Sequence, residues 1–369
     1  MTLGRLAIIK TYFVTGGAGF IGSNFIGYML EKYGEEIKII NYDILTYAGN
    51  LENLCGVETC SNYSFIKGDI CDKDLLTTIF KENEIDYVIH FAAESHVDRS
   101  IIDPEVFVKT NVLGTASLLN VAKASWLNED KETFKAGKKF VHVSTDEVYG
   151  SLGETGFFTE ETPLDAHSPY SASKAASDLL VKAYFDTYKM PINITRCSNN
   201  YGAFQFPEKL IPLIINNALT GKKLPVYGKG LNVRDWLYVK DHAKAIDMVN
   251  QKGKLGEVYN IGGHNEKTNI DIVKIIINKL AAMLPQNDAR REKITEDLIT
   301  FVTDRKGHDL RYAIDPSKIK KEIGWEPETM FDEGIELTIK WYLDNAKWLK
   351  NVTTGDYSNY YDQLYKNRG

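Results

Sequence analysis

Cysteine is scarce in this chain, and its arrangement is uninformative for metals. The four residues, Cys55, Cys60, Cys71 and Cys197, form no C-x-x-C pair and have no histidine-rich neighbourhood, which excludes a recognisable zinc site or disulfide framework. A reducing, cytoplasmic setting is expected and no metal is implied. Long apolar runs are also missing. None approaches the ~18 residues of a membrane span, and the stretch 6–14 is broken by Lys10 and flows into a glycine turn, so it reads as a leader plus first strand, not a signal peptide. There is no basic excess: 44 Lys and Arg stand against 50 Asp and Glu, a net charge of −6, which argues against nucleic-acid binding as the main task. Repeats, low-complexity tracts and a Pro- or Gly-rich linker are absent as well.

What is present fits a globular protein. With 369 residues and 43% hydrophobic composition, the chain can bury a full core as one large domain with a lobe, or as two domains. The β-branched and aromatic run Thr11-Tyr12-Phe13-Val14-Thr15 leads into Gly16-Gly17-Ala18-Gly19-Phe20-Ile21-Gly22, which opens an apparent helix over 23–32. The glycines fit G-x-G-x-x-G as Gly17, Gly19 and Gly22, and equally G-x-x-G-x-x-G as Gly16, Gly19 and Gly22. Such a loop lets backbone N–H groups and a helix N-terminus approach a pyrophosphate. A second strand follows at 37–42, and Asp43 closes it about 20 residues beyond the last glycine, where a carboxylate accepts from ribose hydroxyls and repels a 2′-phosphate. That favours NAD over NADP.

A third strand at 63–70 places Asp69 near the adenine edge, and Tyr87-Val88-Ile89-His90-Phe91-Ala92-Ala93 is the near-continuous apolar run that a parallel sheet buries on both faces. Repeated βαβ units predict a doubly wound parallel α/β sheet of the Rossmann type. A long helix is expected over 103–124, with Pro104 in its first turn, and a polar surface insertion over 126–139.

Phe140-Val141-His142-Val143 reads as a buried strand that ends in Ser144-Thr145-Asp146-Glu147. Neighbours on a regular strand point to opposite faces, so Asp146 and Glu147 can serve one site only if the strand stops there, at its carboxyl end. The helix expected over 169–188 carries Tyr170 and Lys174, which residues four apart bring to one side. A phenol of pKa about 10 becomes a useful base at neutral pH only if lowered by about 3 units, and Lys174 with an oxidised nicotinamide is a source for that shift. A second stripe on this helix, Ala175, Leu179 and Ala183, predicts pairing with a second copy across a dimer axis. After the strand at 192–196 the pattern changes to a smaller mixed α/β lobe, with helices expected over 241–250, 270–283 and 331–348. The expected division is 1–200 for the NAD-binding domain with the catalytic residues and 201–369 for the substrate lobe, partly interleaved with it.

With these residues in place the chain resembles the extended short-chain dehydrogenase/reductases, and within them the dTDP-glucose 4,6-dehydratases. The resemblance runs through nearly the whole chain, resting on the glycine loop and Ala92-Ala93-Glu94-Ser95-His96-Val97-Asp98-Arg99-Ser100, and is most specific in Thr145-Asp146-Glu147, Arg196-Cys197-Ser198-Asn199-Asn200-Tyr201-Gly202, Phe206-Pro207-Glu208-Lys209-Leu210-Ile211-Pro212, Arg234-Asp235-Trp236-Leu237-Tyr238-Val239 and Asp304-Arg305-Lys306-Gly307-His308-Asp309. Ala203 and Lys306 stand where the family commonly has proline, and 126–139 and 285–295 look longer than usual.

The resemblance implies that Tyr170 removes the 4-hydroxyl proton of a nucleotide-linked glucose while hydride leaves carbon 4 for NAD, with Thr145 bonded to the same oxygen. It implies that Glu147 takes the carbon 5 proton, that Asp146 protonates the departing 6-hydroxyl, and that hydride returns to carbon 6. It assigns the cofactor to Gly16, Gly19, Phe20, Ile21, Gly22, Asp43, Thr46, Asp69, Ile70, Ala92, Ser95, Thr110, Tyr170, Lys174 and Asn200. It assigns dTDP-glucose, or a related nucleoside-diphosphate hexose, to Ser95, Thr145, Asn199, Lys209, Leu210, Pro225, Tyr227, Arg234, Asn269, Arg305 and His308. Two rival readings remain: another nucleotide-sugar dehydratase or 4-epimerase on the same scaffold, which as an epimerase needs no acid/base pair, and a non-catalytic NAD-sensing module.

Overall fold

The structure, a computed structural model, describes residues 9–354 together with Tyr357 and Tyr361. The stretch 1–8, and with it most of the expected leader, lies outside the described residues. The chain opens with β1 (Lys10–Thr15), α1 (Phe20–Tyr33), β2 (Ile37–Asp43), β3 (Tyr63–Lys67), α2 (Lys73–Glu82) and β4 (Tyr87–His90). β1 pairs in parallel with β2 on one side and β4 on the other. The side chains of β1 and β2 are almost all buried, as expected of strands covered by helices on both faces.

Next come α3 (Val97–Ile102), α4 (Pro104–Phe107), a π-helical turn over Val108–Gly114 and α5 (Thr115–Trp126). The helix expected over 103–124 is therefore one helical path widened in the middle. The widening has two visible correlates. Gly114 abuts Ile70, whose Cδ1 would lie 2.5 Å from any Cβ placed there. Asn111 turns inward, accepting from Glu94 N at 2.8 Å and donating to Glu94 O at 3.0 Å and Ser173 Oγ at 2.8 Å. This ties the helix to the loop that follows β4.

β5 (Lys139–Thr145), α6 (Pro169–Tyr188) and β6 (Ile192–Cys197) follow. The expected surface insertion over 126–139 is exposed only between its ends. Trp126 is 1% exposed and donates its indole N–H to Ile85 O at 3.0 Å, and Lys139 is a buried strand residue, so the exposed loop is the part between them. Apolar area at Trp126 outweighs the polar composition of its neighbours.

The remainder runs β7 (Asn199–Tyr201), α7 (Leu210–Leu219), β8 (Leu224–Tyr227), β9 (Val233–Tyr238), α8 (Val239–Lys252), β10 (Val258–Ile261), β11 (Glu266–Thr268), α9 (Asn269–Met283), β12 (Ile299–Val302), α10 (Ser317–Ile323), α11 (Phe331–Asp344) and α12 (Ala346–Val352). The helix expected over 331–348 breaks at Asn345, which lets Trp348 pack on Trp341 and Tyr342 and donate to Asn53 Oδ1 at 2.8 Å.

The main sheet has seven strands in the order β10-β6-β5-β4-β1-β2-β3, all parallel, the doubly wound fold that the sequence predicts. Strand order reverses between β1 and β4, and such sheets bind ligands beyond the carboxyl ends of the strands at that switch point. Its edge strand β10 comes from beyond residue 201, and α8 also packs back onto α1, where Lys32 Nζ meets the buried Asp247 at 2.6 Å. A three-stranded sheet β11-β9-β7 and a two-stranded sheet β12-β8 build the lobe above the switch point. No helix among the described residues is long and apolar enough to cross a membrane, and none of their His, Cys, Asp and Glu side chains cluster as metal ligands.

Candidate active site

The glycine loop is a cradle defined by what cannot fit in it. Gly16 has φ +73°, and a Cβ there would sit 2.6 Å from Ala92 N; at Gly22 a Cβ would meet Gly16 O at 2.3 Å. Backbone thus takes the space that side chains would fill, and Gly19 caps the N-terminus of α1, where Phe20 and Ile21 form the first turn. Asp43, at the end of β2, accepts from Ala18 N at 3.0 Å and Leu45 N at 2.8 Å. Burial pushes its carboxyl up and those two N–H groups oppose it. Two backbone donors leave a carboxylate with accepting capacity for ribose hydroxyls. The shape and donor set of the loop fit a dinucleotide.

The other expected cofactor residues border this cradle unevenly. Thr46 lies in the turn after β2, where its carbonyl accepts from Gly49 N at 3.0 Å. Asp69 is half-buried and accepts from Cys71 N at 2.9 Å, Ile70 is buried against Gly114, and Thr110 belongs to the π turn. Asn200 differs: its side chain turns inward, donating to Ser198 O and meeting His242 Nδ1, both at 2.9 Å, so its amide is already engaged within the fold.

β5 does end at Thr145, and Asp146–Tyr149 form a 3-10 turn directly beyond it. This turn solves the strand problem, since it gathers side chains that a continuing strand would splay to opposite faces. Thr145 Oγ1 accepts from Glu147 N at 3.2 Å and lies 3.3 Å from Asp146 Oδ1. Asp146 is 2% exposed, and its Oδ2 is buried without a hydrogen-bond partner. Burial first, then the nearby Glu147 and Asp235, push its carboxyl well above the usual range and favour its protonated form.

Ser168 and Ser171 cap α6 reciprocally, with Pro169 in its first turn, and this sets Tyr170 against Thr145, Asp146, Glu147 and Cys197. Burial, Glu147, Cys197 and Asp146 push the phenol up, not down. Lowering it therefore falls to positive charge brought beside it. Lys174, one turn on, is buried and donates to Val143 O at 2.9 Å; burial brings its ammonium down to about 8.

Facing these groups across the cleft is a basic wall from the lobe. Arg234 on β9 donates to Val233 O and Asp309 O, and its field reaches Asp146 and Glu147. Lys209 donates to Ser95 O at 2.8 Å and also interacts with Glu147. Arg305 has a buried Nε without a hydrogen-bond partner, and its NH1 lies 4.0 Å from Asp98. His308 is kept neutral, down to about 4, by burial and then by Arg305 and Arg234, and its ring meets Tyr227 edge-on. Leu210 opens α7, Pro225 shares β8 with Tyr227, and Asn269 opens α9. Asn199 carries a buried Oδ1 without a partner. The sequence reading passed over Asp235, which holds the 263–265 turn through Gly263 N and Asn265 N, and the buried ion pair of Asp178 with Arg196. Asp178 was visible in principle, lying four residues after Lys174 on the same helix.

Residues 13–338 match the profile of the family described as GDP-mannose 4,6 dehydratase. The chain is 53% identical to a dTDP-glucose 4,6-dehydratase of Xanthomonas campestris pv. campestris, over 95% of this chain and 97% of that one. It is 50% identical to the dTDP-glucose 4,6-dehydratase of Salmonella typhimurium, over 96% and 99%. The chain belongs to the dTDP-glucose 4,6-dehydratase family.

A crystal structure of the Bacillus anthracis dTDP-glucose 4,6-dehydratase in complex with NAD superimposes with a TM-score of 0.82 at 50% identity, covering 93% of this chain and 99% of that one. A UDP-glucose 4-epimerase of Thermotoga maritima shares the architecture at 27% identity and a TM-score of 0.78, covering 91% and 99%. Membership of the dehydratase family thus rests on sequence identity about twice that shared with the epimerase.

Proposed function

We propose that this chain converts dTDP-glucose to dTDP-4-keto-6-deoxyglucose and water, with NAD held at the glycine loop. NAD bound there would supply reversible hydride storage, the hydride leaving carbon 4 of the sugar and returning to carbon 6 as a proton is restored to carbon 5. Gly16, Gly19 and Gly22 leave room for its pyrophosphate, and Asp43 accepts from its ribose. Tyr170 removes the 4-hydroxyl proton and Thr145 bonds the same oxygen. A ketone at carbon 4 acidifies the carbon 5 proton, which Glu147 removes. Asp146 delivers its proton to the 6-hydroxyl as that leaves. Arg234, Arg305 and Lys209 supply positive charge for the diphosphate, with guanidinium forks suited to its oxygens.

One observation carries the reading: a buried Asp146 with an unpartnered oxygen, beside Glu147 and Tyr170, where burial favours the protonated acid. An epimerase has no use for that acid. Incubation with dTDP-glucose and NAD should give a product lighter by one water without net accumulation of reduced nicotinamide. Stoichiometric reduced nicotinamide, or a product of unchanged mass, would reject dehydration.

The reading extends to assembly and location. Ile102, Val106, Val108 and Leu113 on the adjoining helical turns and Leu179 on α6 are exposed apolar residues, with Ile102 72% and Leu179 61% exposed. Their elements pack side by side, and a second copy covering this face would form a homodimer. The four cysteines are unpaired, which suits the reducing cytoplasm. A dimeric mass in light scattering at micromolar concentration supports the first point, and a monomeric one removes it.

A further inference from the structure

Beneath Lys174 lies a buried polar layer to which the dehydration chemistry assigns no task. Asp178, one turn beyond Lys174 on α6, is 1% exposed. Its Oδ2 accepts from Arg196 Nε at 2.8 Å, and its Oδ1 lies 3.4 Å from His142 Nε2. Arg196 continues the layer, donating from NH1 to Tyr149 OH at 2.9 Å, and Tyr149 donates to Asn260 Oδ1 at 2.8 Å. His142 contacts Ser177 Oγ at 3.2 Å through Nε2, while its Nδ1 is buried without a partner. A buried ion pair of this kind contributes little net stability, because desolvation offsets the attraction. Its placement needs another reason.

That reason lies in the charges around Lys174. The groups that interact with it are Asp178 from its own helix, His90 from β4, His142 from β5 and Cys197 from β6, while Asp146, Glu147 and Arg196 act on Tyr170 or Asp178 close by. His90 and His142 are fully buried and held neutral, and burial keeps the Cys197 thiol protonated. Burial pushes Asp146 toward its protonated form, and Glu147 interacts with Tyr170 and the basic wall. Asp178 remains as the ionised carboxylate behind the lysine; its carboxyl is held low by His142 and Arg196 against its burial.

We propose that Asp178, held by the Arg196 hydrogen bond with its second oxygen unpartnered beside His142, is a positioning residue that supplies the counter-charge keeping the buried Lys174 an ammonium during the hydride steps. The idea rests on the Tyr170/Lys174 reading above. Without Asp178 the ammonium would face burial with no fixed anion behind it, and it would lose its proton at lower pH. The Tyr170 phenolate would then lose its partner in the range where the enzyme works.

The test is the pH profile of the first turnover, followed by the absorbance of reduced nicotinamide formed from dTDP-glucose in the NAD-loaded protein. Asp178→Asn should move the alkaline limb to lower pH by about one to two units, the size expected for losing an opposite charge nearby. The double variant Asp178→Asn/Arg196→Gln removes both charges, so no buried arginine is left unpaired, and it should show the same move. In a Lys174→Arg background, where the side chain stays charged regardless, Asp178→Asn should cost little further. An unmoved limb in a folded variant, an equal loss in both backgrounds, or failure of both variants to fold would overturn the proposal in favour of a purely structural ion pair. Full activity of Lys174→Met would instead overturn the Tyr170/Lys174 reading.

Discussion

The two walls of the cleft treat charge in opposite ways. The wall from β5 and α6 carries Asp146, Tyr170 and Lys174, all buried, and burial drives each toward its neutral form. The lobe wall carries Arg234, Lys209 and Arg305, whose charge is anchored on backbone carbonyls or close to Asp98. Burial lowers Arg234 and Lys209 too, but a guanidinium starts so high that it stays charged. One wall therefore holds groups poised to exchange protons, and the other holds fixed positive charge. Catalysis needs the first and anchoring of a diphosphate needs the second.

If that division is real, damage to the two walls should separate in kinetics. The largest loss is expected from Tyr170→Phe, which leaves the ring's packing against Phe107 and removes only the hydroxyl. Turnover should fall by about 10³–10⁴, the upper part of the range for a missing general base, with little change in substrate affinity. A fall in affinity with turnover preserved would place Tyr170 on the binding wall instead.

Glu147→Gln should cost turnover by about 10²–10³ and do so selectively. Reduced nicotinamide should still form on mixing with substrate, while exchange of the carbon 5 proton with solvent, read by mass spectrometry in heavy water, should vanish. Retained exchange would remove Glu147 as the base.

On the opposite wall, Arg234→Ala should raise KM about tenfold to a hundredfold, since a hydrogen bond to a charged group contributes about 1.5–3 kcal/mol, and leave kcat within about threefold. Arg305→Ala should do less, because Asp98 already neutralises part of its charge. Equal losses in kcat for either arginine would erase the distinction between the walls.

The same contrast explains what could be seen without coordinates. The proton-exchanging wall is written in short runs: Thr145, Asp146 and Glu147 are consecutive, and Tyr170 and Lys174 are one helical turn apart, so strand end and helix spacing fix their neighbours. The glycine loop is legible for the same reason, because its chemistry is backbone and its shape is local. Arg234, Arg305 and His308 come together only through the register of β9 and the 304–309 loop, and only the family resemblance located them. Trp126 and the inward-turned Asn200 escaped because their partners, Ile85 and His242, are distant in the chain. Neither the break at Asn345 nor the return of β10 to the main sheet carries a local signal, since both depend on which surfaces were already covered.

The smallest effect, and the most direct reading of the acid, is on stability. Asp146 titrates higher in the folded state than in the unfolded chain, so folding is favoured while the group is protonated in both states. As pH rises past the ordinary carboxylate range the unfolded chain releases this proton while the folded state keeps it, and the unfolded state gains relative stability. Asp146→Asn replaces a neutral acid by a neutral amide of similar shape and removes that drift. Its melting temperature should therefore exceed that of the parent protein by a few degrees at neutral to mildly alkaline pH, with the gap closing toward pH ~4, where the unfolded parent chain is protonated as well. Water loss should slow in the same variant while oxidation at carbon 4 survives. A melting temperature that falls at neutral pH would mean that Asp146 is ionised and paired in the folded protein, and the proton-exchanging wall would then have lost its acid.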